Sequence, residues 1–157
     1  MAEVQQGLMP SLLDRLIDPE SIGTNWRHGY GIAQMVDVVR RDLEELLNTR
    51  ESGSHIPEAF VETRNSVLSY GLPDLSTLTA MSAQQREEIG QMISNVVTRH
   101  EPRLKDVKAT LLNPDERLDQ TVRFRIDARM RADPSPDVAF DTILELTTGH
   151  TRVQNPG

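Results

Sequence analysis

Glu101 and Arg103 set a carboxylate and a guanidinium on either side of Pro102. Two kinds of chemistry use such groups. A carboxylate near a second acid can serve as the general acid of a glycoside hydrolase, and Asp106 or Asp127 would be the mate of Glu101. That role requires an acid kept protonated by burial or by a neighbouring anion. Arg99, His100 and Arg103 stand beside Glu101 instead, and positive neighbours favour the charged form of a carboxylate. The second use is electrostatic: opposite charges at an element end either tie a joint to itself or present it to a partner. Spacing alone leaves both open.

Other candidates are sparse. The histidines at 28, 55, 100 and 150 have no metal-ligand spacing, and Ser54-His55 lacks an evident group to orient it as a nucleophile. There is no Gly-rich phosphate loop, no Gly-x-Ser-x-Gly and no His-Glu-x-x-His. The expectation is a chain with no catalytic residue, no cofactor and no metal.

The elements that position Glu101 to Arg103 come next. Pro102 disfavours α conformation at Glu101 and removes a backbone donor, so a helix ends there. Behind it, Ser82 to Arg99 reads as helix, with Ser82 and Gln85 as a capping box and Ile89, Met92, Ile93, Val96 and Val97 as its buried stripe. Gly90 costs about 1 kcal/mol against Ala, tolerable where a neighbour packs close. Ahead, Val107, Ala109 and Leu111 alternate with Lys108 and Thr110; Leu104 is out of phase, which predicts a bulge or a late start. Asn113 to Glu116 is a turn. Val122, Phe124, Ile126, Ala128 and Met130 then alternate with Arg123, Arg125, Asp127, Arg129 and Arg131, the clearest strand in the chain. After a turn at Asp133 to Asp137 come Val138, Phe140, Thr142, Leu144 and Leu146 inward, with Asp137, Asp141 and Glu145 outward. An arginine strand beside an acidic strand suggests antiparallel neighbours. Gly149 breaks the run, and Thr151 to Gln154 can return as a short edge.

Upstream, Ile32 to Leu47 is the strongest helix, apolar at 32, 35, 36, 39, 43, 46 and 47. Its polar residues read as a solvated face, with Arg41 and Glu45 spaced to pair. Leu8 to Ile17 predicts a short helix with Leu8, Leu12 and Leu16 beside Met9, Leu13 and Ile17, covering an edge of the domain or docking in a partner. Residues 18–31 and 50–62 read as loops, and Tyr-Gly-Leu-Pro-Asp at 70–74 as a turn with Gly71 at positive φ. Helices first and a meander of strands after make an α+β fold, with helices packed on one face of a small antiparallel β-sheet.

The 157 residues suit one domain, 1–157, with 1–9 and 150–157 flexible. With no cysteine there are no disulfides. Lysine and arginine number 17 against 24 acids, a net charge of −7, and so acidic a chain is a poor nucleic-acid binder. The first thirty residues show no signal peptide, and no apolar run approaches the roughly 20 residues that span a bilayer. A cytoplasmic domain without membrane insertion is expected. Aromatics are 4%, so the core must rest on Leu, Ile, Val and Met.

Four stretches in order resemble one family: Ser11-Leu-Leu-Asp-Arg-Leu16; Val39-Arg-Arg-Asp-Leu43 leading into Leu46-Leu-Asn-Thr-Arg50; Ser66 to Leu75; and Glu101-Pro-Arg-Leu104 followed by strands. They are similar to the TssE family, baseplate wedge subunits of the bacterial type VI secretion system. That family is grouped with the contractile-phage baseplate protein that seeds the tail sheath, often labelled "lysozyme-like". The resemblance implies a structural role beside TssF, TssG and TssK, with a β-sheet edge offered to arms of the sheath subunits TssB and TssC. Its Glu-Pro-Arg triplet falls on Glu101, Pro102 and Arg103. Partner binding is expected of Glu101, Pro102, Arg103 and Leu104, with Arg50, Leu12 and Leu16. On this reading Glu101 and Arg103 anchor the subunit to wedge helices through charge-assisted hydrogen bonds; the alternative is an internal clamp of the joint. Two other readings of the fold are a protein-binding regulatory adaptor and a peptidoglycan glycoside hydrolase.

Overall fold

Helices precede strands in the computed structural model, which describes residues 8, 10–17, 29–52, 56–57, 59–73, 83–112, 121–145 and 147–156. The expectations for residues 1–7, Met9, Ser54, His28, His55, Ser82, the 113–116 turn and Leu146 lie outside that set. The chain divides into two compact units, 1–39 and 40–157.

In the first unit, helix α1 runs only from Leu12 to Ile17. It is shorter than its apolar spacing suggests because the start is set by a cap. The Asp14 N–H donates to Ser11 Oγ at 3.2 Å, while Ser11 N–H and Oγ donate to Asp14 Oδ2 at 3.1 and 2.6 Å. Leu8 pairs with Tyr30 in an isolated antiparallel bridge rather than continuing the helix. Helix α2, Ile32–Asn48, begins in this unit and crosses into the second. At its start Gly31 N–H donates to Gln34 Oε1 at 3.1 Å, a side chain reaching back to cover an orphan donor.

In the second unit α2 buries Leu43, Leu46 and Leu47. Helix α3, Val61–Arg64, and a 3-10 turn at Val67–Ser69 follow within the stretch 50–69. Gly71 takes φ +111°, and a Cβ there would collide with the Thr49 carbonyl, so only glycine lets these segments meet. Leu72 N–H then donates to Thr49 O at 2.8 Å, and Glu51 N–H to Leu72 O at 2.9 Å.

Helix α4, Ala83–His100, buries Ile89, Ile93, Val96 and Val97. It leads into a four-stranded antiparallel sheet in sequence order: β1 Leu104–Leu111, β2 Thr121–Met130, β3 Asp137–Glu145, β4 Thr151–Gln154. Residues 151–154 thus form the short edge strand expected after Gly149. The β1–β2 register shifts between Lys105 and Lys108, and Asp106 has φ +56°, the bulge that brings Leu104 back into phase. Val122, Phe124, Ile126, Ala128 and Met130 of β2, with Phe140, Thr142 and Leu144 of β3, form the buried face. On the outer face Arg125 and Arg129 stand opposite Asp141 and Asp137 and pair with them at 2.8 and 3.0 Å.

Candidate functional site at the joint and the sheet edges

Helix α4 stops where Pro102 requires. Glu101 N–H still donates to Val97 O at 2.8 Å, closing the last helical turn, and Leu104 N–H donates to Glu101 O at 3.1 Å. Three residues, Glu101 to Arg103, therefore carry the chain from helix to strand, and Glu101 is only 4% exposed. Its carboxylate is met by Arg103: Nε donates to Oε1 at 2.6 Å, Nη2 to Oε2 at 2.5 Å, and the Arg103 backbone N–H to Oε1 at 3.1 Å. This bidentate pair is extended by Asp42 of α2, whose Oδ2 accepts from Arg103 Nη2 at 2.6 Å. Burial pulls the arginine pKa down, but the hydrogen bonds and charges of Glu101, then Asp42, more than offset this and hold it above its ordinary value. On the far side of the pair, Arg103 O accepts Arg131 N–H at 2.7 Å, and Leu104 O accepts Arg131 Nε at 3.2 Å.

Tyr70 and His100 complete the joint, their rings edge-to-face with centroids 5.3 Å apart. His100 Nε2 lies 2.9 Å from Ser69 O, which can only accept, so that nitrogen carries the proton. Burial lowers the imidazole pKa; the Ser69 carbonyl and Glu51 work the other way, and Arg99 lowers it further. Burial raises the Tyr70 phenol, helped by the negative charges of Glu45, Asp42 and Glu101.

Both outer edges of the sheet are attended by helices. At β1, Ala109 N–H donates to Ser94 Oγ at 2.8 Å, while that hydroxyl donates to Gly90 O at 2.9 Å. A Cβ on Gly90 would lie 3.2 Å from Ala109 O and 3.5 Å from the Phe124 ring, so this glycine is where helix and strand backbones approach. At β4 the contact is made mainly by side chains of α2, with one bond from Thr151 Oγ1 to the Leu47 carbonyl at 3.5 Å. Asn48 Nδ2 donates to Thr151 O at 2.7 Å and Asn48 Oδ1 accepts Thr151 N–H at 2.8 Å. Glu44 Oε2 accepts Val153 N–H at 3.0 Å, and Arg40 Nη1 donates to Val153 O at 3.4 Å. The polar face of α2 is therefore more than a solvated surface: Asp42 serves the joint, and Arg40, Glu44 and Asn48 serve the sheet edge. Arg41, expected opposite Glu45, reaches Asp42 at 2.8 Å.

Of the residues singled out from sequence, the structure brings Glu101 and Arg103 into one cluster with Pro102 exposed above them. Leu104 is 1% exposed and belongs to the core, so it offers no side chain to a partner. Arg50 is exposed, bridges Leu72 through its backbone and shares a shallow depression with Glu44, Asn48 and Gly149. Leu12 and Leu16 are 76% and 79% exposed. Asp42, Ser94 and the Arg40–Glu44–Asn48 row were not singled out; only the four-residue spacing of the last three carries a signal. As a hydrolase site the cluster is poorly built, because Glu101 is only 4% exposed and both its carboxylate oxygens accept from Arg103. Among the described residues no group of three His, Cys, Asp or Glu could hold a metal ion, and no helix is long and apolar enough to cross a membrane.

The fold is thus an α+β scaffold with a Glu101–Arg103 ion pair at the helix-to-strand joint. The chain matches the family model of the baseplate wedge protein gp25 over residues 33–135, more than half its length, and it belongs to that family. A chain of "The baseplate complex from the type VI secretion system" is similar in structure, with 19% identity and a TM-score of 0.48, over 71% of this chain and 94% of that one. No curated protein matches the sequence.

Proposed function

We propose that the chain, acting as one unit over 1–157, is the structural wedge subunit of a type VI secretion baseplate in the cytoplasm. In this reading it joins the wedge to the contractile sheath and seeds sheath assembly. The observation that carries it is family membership over residues 33–135, a span that contains the Glu101–Arg103 joint and strands β1 and β2. The joint meets the wedge subunits TssF, TssG and TssK. Because Glu101 is turned inward, the contact falls to exposed Pro102 and to the Nη1 edge of Arg103, which has no partner among the described residues. The internal pair then shapes the corner that the wedge receives, and Arg50, Leu12 and Leu16 add exposed contact area. The sheath subunits TssB and TssC receive a backbone edge of the sheet, whose N–H and C=O groups can pair with an incoming strand.

Co-expression with TssF, TssG, TssK and the TssB–TssC pair tests this. Co-purification with wedge proteins, and with the sheath pair when both are present, is the expected result. Capture of a response regulator in their place would select the adaptor reading. Peptidoglycan clearing lost on Glu101→Gln would select the hydrolase.

A further inference from the structure

The two sheet edges are closed in different ways. At β1 the body of α4 stands against the strand, with Gly90 allowing the backbones to approach. An added strand would have to push a helix away. At β4 the outward N–H and C=O groups of Thr151 and Val153 are held by the tips of three side chains, which new rotamers would release, while Thr151 Oγ1 keeps a bond to the Leu47 carbonyl at 3.5 Å.

These side chains also imitate what they exclude. The Asn48 amide accepts from and donates to one residue, Thr151, as a β-bridge partner would. Glu44 stands where the next strand carbonyl would accept, and Arg40 where the next N–H would donate. Four residues of helix rise about 6 Å and two residues of strand about 6.8 Å, so positions 48 and 44 stay in step with Thr151 and Val153, and Arg40, one turn further on, reaches back to the Val153 carbonyl. An incoming backbone would replace each side-chain bond with one of the same kind, while the free subunit stays shielded from chance edge pairing.

We propose that Arg40, Glu44 and Asn48 form a displaceable latch, and that the β4 edge beneath it, rather than β1, receives an extended strand from a sheath subunit. The occupant rests on the sheath-joining reading above; the latch does not. Hydrogen exchange on the full chain tests the latch. In the Glu44→Ala/Asn48→Ala variant the Thr151 and Val153 amides should exchange at least roughly tenfold faster, with Arg152 and Gln154, which alternate toward β3, unchanged. Equal rates in both proteins would overturn the latch. Capture of the TssB–TssC pair tests the edge: it should rise several-fold in the same variant. Val153→Pro should abolish it, because proline removes an outward N–H that the β3 ladder does not use. Capture that is unchanged by opening the latch, or that survives Val153→Pro in a variant of native melting temperature, would overturn the assignment to β4. Faster exchange with no sheath capture by any form would keep the latch and overturn sheath joining. Dimers of the opened variant in place of sheath capture would make a second copy the occupant and overturn the sheath strand.

Discussion

Replacing Arg103 by alanine should be among the most damaging single changes available outside the apolar core. The Glu101 side chain is 5% exposed, and Arg103 supplies the side-chain donors to both of its oxygens. Removing one partner of a buried pair costs about 3–5 kcal/mol, most of it from the charge left behind. Two features place this case at the lower end. The residue-103 backbone N–H remains on Glu101 Oε1 at 3.1 Å, and Asp42, with its side chain 22% exposed, can turn to water. The expected loss is therefore about 3 kcal/mol, roughly 10 °C in melting temperature for a chain of this size.

Thermal and urea unfolding at pH 7 measure this directly, and the cycle with Glu101→Gln isolates the pair. Once the carboxylate is gone, Arg103→Ala has no stranded charge to leave, so the loss in the double variant should fall short of the sum of the two single losses by at least about 1 kcal/mol. Arg129→Ala is the control. Its side chain is 51% exposed and meets Asp137 at 3.0 Å, and surface pairs of that kind contribute about 0–1 kcal/mol. If Arg103→Ala and Arg129→Ala shift the transition equally, the Glu101 pair does not hold the joint, and anchoring to a partner becomes its whole purpose.

Three more outcomes follow from single positions. Gly71→Ala should destabilise by at least about 2 kcal/mol, because φ +111° and the Thr49 carbonyl both reject a Cβ; Gly31→Ala, with 3.8 Å to its nearest neighbour, is the matched control in chemical unfolding. Thr142→Val should raise the urea midpoint, by about 1 kcal/mol of stability, since the fully buried Thr142 hydroxyl has no hydrogen-bond partner among the described residues. His100 should make stability pH-dependent: its folded pKa is lowered from about 6.5 by burial, so its contribution is complete above that value and is lost as pH falls through the folded one. The His100→Gln variant should show a flatter melting-temperature profile in that window; an unchanged profile would refute the assignment.

What could be read in advance was whatever repeats with a short period. The two-residue alternation of β2 located its buried row, and the arginines of one strand and acids of the next, both turned outward, anticipated Arg125–Asp141 and Arg129–Asp137. The phase error at Leu104 anticipated the bulge, because a buried residue out of step needs an extra residue to return it to the core face. Glu101 and Arg103 were visible as a charged corner, but not the direction they face. That direction depends on Asp42, 61 residues away, and nothing local at position 42 distinguishes it from its solvated neighbours.

The row at Arg40, Glu44 and Asn48 was hidden for a different reason. A four-residue spacing of polar groups is what any exposed helix face shows, so the pattern reads as solubility until a strand edge is laid beside it. The match of helix and strand pitches then gives the same residues a second meaning, but only over a short distance. A shortfall of about 0.8 Å per step accumulates, and a longer edge would outrun the side chains that cover it. Strand β4 has four residues and presents two outward, which is within that tolerance. Its shortness and its covering thus belong together: an edge kept just long enough to pair is also just short enough for one helix face to keep closed.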